Sequence, residues 1–533
     1  MDGYHIYWGE THDNTYQFES MTASMDEVLW RAASHLDFYS GAYYTACATA
    51  FKPGGHPSEA EEPKLVLEGW KPGDRLDQEW AEVQEATRAA NRPGEFVTFP
   101  GYEWQGDGGS GDHNVSYFSE GPPIFVVDTL KELYARLRQC GVDSLAIPHH
   151  TAYRKGVRSR DWSVHNEELS PYTEIFSNHG CSETDEEWVG LRNNPHMGPG
   201  YAGGTWQDAL DMGLRVGAIG STDRWGIMPG DYGSGIMACI AKELTRESVW
   251  EAMKARRVYA VTGDRIEIDF RLGDALMGEV VKADGPRKIS VKVRGADAID
   301  RIELLRRGRV IATHCHQGTW EMPPAGRPAK FKMRVECGWG PRPTEIQMPE
   351  RHWDCRLMVP GNEILGYDPC WISPGHKKPD IRSGTAAFQM RTSQATVGAR
   401  YQNANVFEIE CDEGPDADLV LKVGELEERA PVAEFCRGSR EMWFRDECVR
   451  TLHERAGIEP ESPERGDIYH HVAYKTKVHR CIPEAGYTAE LEYEDDEPLA
   501  GLANPRGDVE YRVRVEQRNG QRAWSSPIWV SGG

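Results

Sequence analysis

The stretch that decides how this chain is read is Phe96–Asn114, FVTFPGYEWQGDGGSGDHN. The β-branched and aromatic run Phe96–Phe99 reads as a buried strand, and Pro100–Gly101 stops it. Glu103 follows at once, and a glycine-rich loop then delivers His113. A carboxylate and an imidazole just past a stiff strand are the donors a divalent metal takes. One such strand end decides nothing, so the other strands must be read for the same ending.

They end alike. His5–Trp8 reads as a strand leading into Glu10, His12, Asp13 and Asn14, and Asp37–Ser40 as one followed by Tyr43 and Tyr44. Leu145–Pro148 ends in His149 and His150, Thr173–Ser177 in Asn178 and His179, and Val216–Ile219 in Ser221, Thr222 and Asp223. Helical patterns lie between them: Ser24–Leu36, opened by Ser24 and Glu27; Asp77–Ala90; one capped by Asp128; and a short one opened by Thr205 and Asp208. Arg246–Arg256 and Val258–Gly263 close the series. Alternating strands and helices predict parallel strands whose carboxyl ends converge on one side.

After about Asp264 the rhythm becomes period two, in Lys288–Gly295, Ile302–Ala312 and Tyr511–Trp524, with Asn519–Gly520 as a hairpin signal. Gly338–Asp380, rich in Pro, Gly, Trp and charge, defeats pattern reading. The expected organisation is an α/β domain over residues 1–265, then a β-rich, sandwich-like domain over 266–533 with an irregular central insertion.

The bulk numbers bound the function. With 533 residues, 39% of them apolar, the chain can fill more than one core. A net charge of −23 disfavours nucleic acid and anionic membranes as partners. A bound metal inverts the field locally, so an anionic small substrate stays open. The 12 Cys are scattered singly, without a C-x-x-C pair, which fits reduced thiols. MDGYHIYWGE carries no basic and apolar leader, and no run approaches the roughly twenty apolar residues of a membrane span. The expected location is the cytoplasm.

The segments YWGETHDNT, LDFYSGAYY, FPGYEW with GDHNVSYF, AIPHH, EIFSNHG and GAIGSTDRWG resemble the polymerase-and-histidinol-phosphatase (PHP) superfamily, in a branch long catalogued as a domain of unknown function. The likeness continues through WEAMKARRVYAVTGDRIEIDF, RIELLRRGRVI and YRVRVEQRNGQRAWSSPIWV. It implies a TIM-barrel-like, distorted (β/α)7 fold with up to three metals at the strand ends. The family's His-x-His motif corresponds to His12 and Asn14, and its Asp-His motif to Tyr43 and Tyr44. Glu103 stands at the bridging glutamate, and His149 (or His150) and His179 at the next two histidines. The closing Asp-x-His reads Asp223, Arg224, Trp225. In the family the histidines of the second and last motifs serve the third metal, and both positions are aromatic here, Tyr44 and Trp225. The resemblance therefore implies one or two divalent ions (zinc, manganese or iron), one on Glu103, His149 and His179, the other on His12, Glu103 and Asp223 with Asn14.

The leading expectation is a metal-dependent hydrolase acting on a small organic ester, amide or phosphoester, with Asp223 orienting the attacking water. Trp104, Arg154, Lys155, Arg224 and Trp225 are candidates to contact substrate, and His113 is aimed at either substrate or metal. One alternative is a metal-dependent lyase or isomerase in which Tyr43 or Tyr44 moves a proton. Another is a non-catalytic binding protein on an eroded metal site. The β-rich half is left to shape the pocket, carry a homo-oligomer interface or contact a larger substrate.

Overall fold

The computed structural model describes residues 3–16, 23–48, 67–155, 158–186, 189–191, 199–224, 228–283, 285–338, 350–392, 403–457 and 474–531. The chain is mixed α/β, strand-rich, and divided into two compact units. The first comprises residues 1–294, 299–316 and 489–533; the second comprises 295–298 and 317–488. The chain thus crosses between the units four times, and residues 266–294, 299–316 and 489–533 belong to the first. Val258–Val261 explains why: it pairs antiparallel with Arg522–Ser525, so the end of the chain completes the sheet of the first unit.

In that unit, His5–Glu10, Phe38–Ser40 and Val97–Phe99 run parallel side by side. Tyr172–Ser177 and Gly217–Gly220 form a second parallel pair. Antiparallel partners interrupt the expected all-parallel order. Ile236–Ala241 pairs antiparallel with His5–Glu10 and with Val258–Val261, and Ser144–Pro148 pairs antiparallel with His113–Tyr117. Among the described residues these strands fall into separate hydrogen-bonded sheets, with no single closed ring traced.

The expected helices form. Ser24 caps Met25–Ala33 by accepting from the backbone of Glu27 at 3.2 Å. Thr205 and Asp208 make a full capping box for Trp206–Asp211. The helix assigned to an Asp128 cap is instead Leu130–Gln139, capped by Thr129 in a box with Glu132, one residue later. The hairpin signal also holds: Asp508–Gln517 turns at Gly520, whose φ is 84°, into Arg522–Ser525.

The second unit consists mainly of two antiparallel sheets. One carries Ala329–Gly338, Glu363–Cys370 and Asn403–Cys411; the other carries Arg351–Met358, Thr385–Thr392 and Asp418–Val423. Their inner faces share one core, with the rings of Phe388 and Phe407 5.0 Å apart. Among the described residues, the stretch that defeated pattern reading thus holds Arg351–Met358, Glu363–Cys370 and the start of Lys377–Arg382, and Trp353 and Trp371 in it are buried.

Glu183 ties the returning terminus into the first unit. Its carboxylate accepts from Arg512 Nη2, Arg514 Nε and Trp524 Nε1, each at 2.8 Å. Glu183→Ala strands a buried guanidinium and an indole N–H, which costs about 3–5 kcal/mol. A denaturant midpoint unchanged from wild type would show that these contacts do not hold the terminus.

Candidate metal centre

A five-stranded sheet sets the first part of the site. Its strands are Ser144–Pro148, His113–Tyr117, Gly101–Trp104, Ala42–Tyr44 and Asn14–Thr15, in that order. Glu103, expected just past the strand Phe96–Phe99, therefore lies within a second short strand after Pro100. Gly101 lets that strand sit close to its neighbour: a Cβ there would lie 2.5 Å from the carbonyl oxygen of Gly41.

Strand alternation then sorts the side chains. Tyr44, Glu103 and Asn114 stand opposite one another and share one face. Tyr43, Tyr102 and Val115 share the other face, with Trp104 and His113 two residues along it. That second face is hydrophobic core: Tyr43, Tyr102, Trp104 and Val115 belong to one buried cluster. His113 packs against Trp104 at 5.8 Å and Tyr134 at 6.3 Å.

A second set of contacts brings the chain ends of distant strands together. The Asp223 backbone N–H donates to His12 O at 2.7 Å, and the Asn14 backbone N–H to Arg224 O at 2.5 Å. Asp223 and His150 both hold positive φ, 51° and 34°, a region costly for residues with a side chain and kept where surroundings enforce it.

Four overlapping triads result: His12–Glu103–His149; Asp112–His149–His150; His150–His179–Asp223; and His12–Glu174–Asp223. His12 Nε2 lies 3.3 Å from Asp223 Oδ1 and 3.8 Å from Glu103 Oε2. His149 Nε2 is 3.8 Å from Glu103 Oε1, and His179 Nε2 is 2.8 Å from Asp223 Oδ2. The rings of His12 and His149 are 4.1 Å apart. Outer partners aim these groups. Glu174 Oε2 meets His12 Nδ1 at 2.7 Å, the Tyr153 hydroxyl contacts His179 Nδ1, and Gln105 donates to Glu103 Oε1 at 2.7 Å.

The electrostatics are those of a site built around positive charge. Burial, reinforced by His12 and His150, pushes His149 well below its usual range; burial and then His179 do the same to His150. Both imidazoles are neutral and free to ligate. Against its burial, the Asp223 carboxyl is held far down by positive charge on His12 and His179. His12 in turn, despite its own burial, is held well above its usual range by Asp223, Glu174 and Glu103, and a metal on its Nε2 would replace that proton. Asp112 is raised to about 7 by burial, against the pull of Arg158. Buried polar atoms normally find partners, yet neither ring nitrogen of His149, nor His12 Nε2, nor Glu103 Oε2 makes a hydrogen bond. Imidazole and carboxylate donors with unused inward lone pairs fit a divalent transition metal.

Of the residues expected from sequence, His12, Glu103, His149, His150, His179 and Asp223 converge. The pairing differs from expectation, because His179 groups with His150 and Asp223 and not with Glu103. Asn14 touches the site through its amide, which donates to Asp223 Oδ1 at 3.3 Å. Tyr44 neighbours Glu103, whereas Tyr43 donates to Glu79 at 2.6 Å and takes a bond from Lys71, on the opposite face of the sheet. Trp104 and His113 are core residues for the reason of alternation given above. Arg154 and Lys155 are exposed, Arg224 lies against Ser234 and Asp231, and Trp225 falls outside the described residues. Sequence reading missed Asp112, Glu174 and Arg158. Glu174 had a signal, being the one charged residue in the buried run Tyr172–Ser177.

A family model described as a protein of unknown function (DUF3604) matches residues 19–172 and 213–293. Those spans include Glu103, Asp112, His149, His150 and Asp223. An uncharacterized protein of Chlamydia pneumoniae is 28% identical over 256 residues, 44% of this chain and 40% of that protein. One from Chlamydia muridarum is 31% identical over 193 residues, 33% of this chain and 30% of that protein. The chain thus spans less than half the length of these relatives. Among solved structures, a two-domain protein from Bacteroides vulgatus containing a predicted PHP-like metal-dependent phosphoesterase aligns over 81% of this chain and 96% of that one. Its TM-score is 0.33 at 12% identity, a likeness too distant to carry the fold.

Glu174 offers a direct test of how the ligands are aimed. Glu174→Gln is expected to weaken divalent-ion affinity about 10–100-fold, read by calorimetric titration with manganese or zinc. Affinity equal to wild type would show that His12 is oriented by other groups.

Proposed function

We propose that this chain is a metal-dependent hydrolase whose site lies at the strand ends of a PHP-like barrel. The observation that carries the reading is the shared triads of buried imidazoles and carboxylates, with the inward atoms of His12, His149 and Glu103 left without hydrogen bonds. His12, Glu103 and His149 would hold one divalent ion and His150, His179 and Asp223 a second. Such ions supply Lewis acidity, which polarises a substrate oxygen and acidifies water at neutral pH.

The chain's own residues do the positioning. Glu174 fixes the tautomer and direction of His12, Tyr153 holds the direction of the His179 ring, and Gln105 pins one oxygen of Glu103. Asp223, ionised across the neutral range by His12 and His179, is a weak base. Its part is to ligate and to orient water by accepting a hydrogen bond. Burial and the Glu103 charge raise the Tyr44 phenol, so it stays protonated and does not act as a base.

Glu103→Gln and His149→Ala are expected to abolish turnover of ester or phosphoester test substrates while far-ultraviolet circular dichroism stays unchanged. Turnover in oxygen-18 water should place label in one product. Full conversion without label, after exchange controls, would replace hydrolysis with elimination or rearrangement.

A further inference from the structure

One triad differs from the others. Asp112, His149 and His150 converge, but Arg158 Nη1 lies 3.3 Å from Asp112 Oδ2, and His150 Nε2 lies 3.5 Å from the same oxygen. A guanidinium keeps its charge at any working pH, so a divalent ion against Asp112 would be repelled by it. Arg158 is also firmly placed. Its Nη2 donates to Gln105 Oε1 at 3.2 Å, and Gln105 in turn donates to Glu103 at 2.7 Å. Its backbone N–H donates to Gly108 O at 3.1 Å, at a φ of 60° that only a fixed surrounding sustains. The Arg158 side chain is 25% exposed, whereas Asp112 is 0% exposed. The guanidinium thus serves the buried acid from a side chain that is itself partly open to solvent and interacts with Tyr44.

We propose that Arg158 is the fixed cation of this site: it takes Asp112 out of the metal-ligand set and binds an oxyanion of the substrate. The substrate class is then a small molecule carrying a phosphoryl or carboxylate group close to the reacting bond. A planar fork with five donors suits either group, and two or three of its donors are engaged within the protein. This inference rests on the metal-dependent reading above.

The test uses the metal-loaded full chain, with inorganic phosphate and acetate as probes in calorimetric titrations and metal content measured by mass spectrometry. Wild type is expected to hold no more than two ions per chain and to bind at least one of the two anions. Arg158→Gln should weaken that binding at least about tenfold without lowering metal content. Arg158→Lys, a point charge without the fork, should fall between. Preference for phosphate assigns a phosphoryl substrate, and preference for acetate a carboxylate. A third ion in wild type, no binding of either anion, unchanged affinity in Arg158→Gln, or metal loss in both variants would overturn the proposal. Failure of the hydrolase reading shows separately, as absent oxygen-18 incorporation while the anion results stand.

Discussion

The cost of burying charge governs this structure. Four carboxylates, Glu103, Asp112, Glu174 and Asp223, and four imidazoles, His12, His149, His150 and His179, meet where water is largely excluded. An ionised carboxylate moved out of water costs several kcal/mol even after relaxation, unless a partner offsets it. The protein supplies only part of that offset, through the contacts of Glu174, Gln105, Tyr153 and Arg158 with the cluster. What remains is a set of inward lone pairs that positive charge would satisfy.

The scaffold converts that requirement into geometry. Glu103 and Glu174 sit on short strands and the other groups next to strand ends, and the pairing of residues 12–14 with 222–224 brings together groups far apart in sequence. Alternation on the five-stranded sheet turns Tyr44 and Glu103 to the site and buries Tyr43, Trp104 and His113 on the other side. The same backbone therefore builds a polar site and a hydrophobic core from adjacent residues. The returning segment 489–531 completes the first unit, and Glu183 neutralises the arginines that this return buries.

Much of this was legible in the chain. The polar residues following apolar runs marked six of the eight converging groups, and the period-two runs marked Arg287–Arg294, Ile299–Arg306, Arg309–Cys315, Asp508–Gln517 and Arg522–Ser525 but not the strands of the second unit. Caps were readable within a residue, because hydroxyl and carboxylate side chains at helix starts satisfy local N–H groups. The division into units was not legible: residues 489–533 join strands more than two hundred positions earlier, and no local signal encodes such a pairing. Glu174 and Asp112 escaped because one sits mid-strand and the other in a glycine-rich loop, away from the strand-end pattern.

The sequence by itself determined the chemistry available here: imidazole and carboxylate donors after apolar runs, a strongly negative net charge, and aromatic residues such as Tyr43 and Tyr44 beside them. Only the tertiary structure decided which of them meet. Side-chain direction on a strand depends on register, and register depends on partners supplied from elsewhere in the chain. That is why Tyr44 faces the site and Tyr43 does not, and why Glu103, prominent from the first quoted stretch, is joined by an Arg158 that no sequence pattern had singled out.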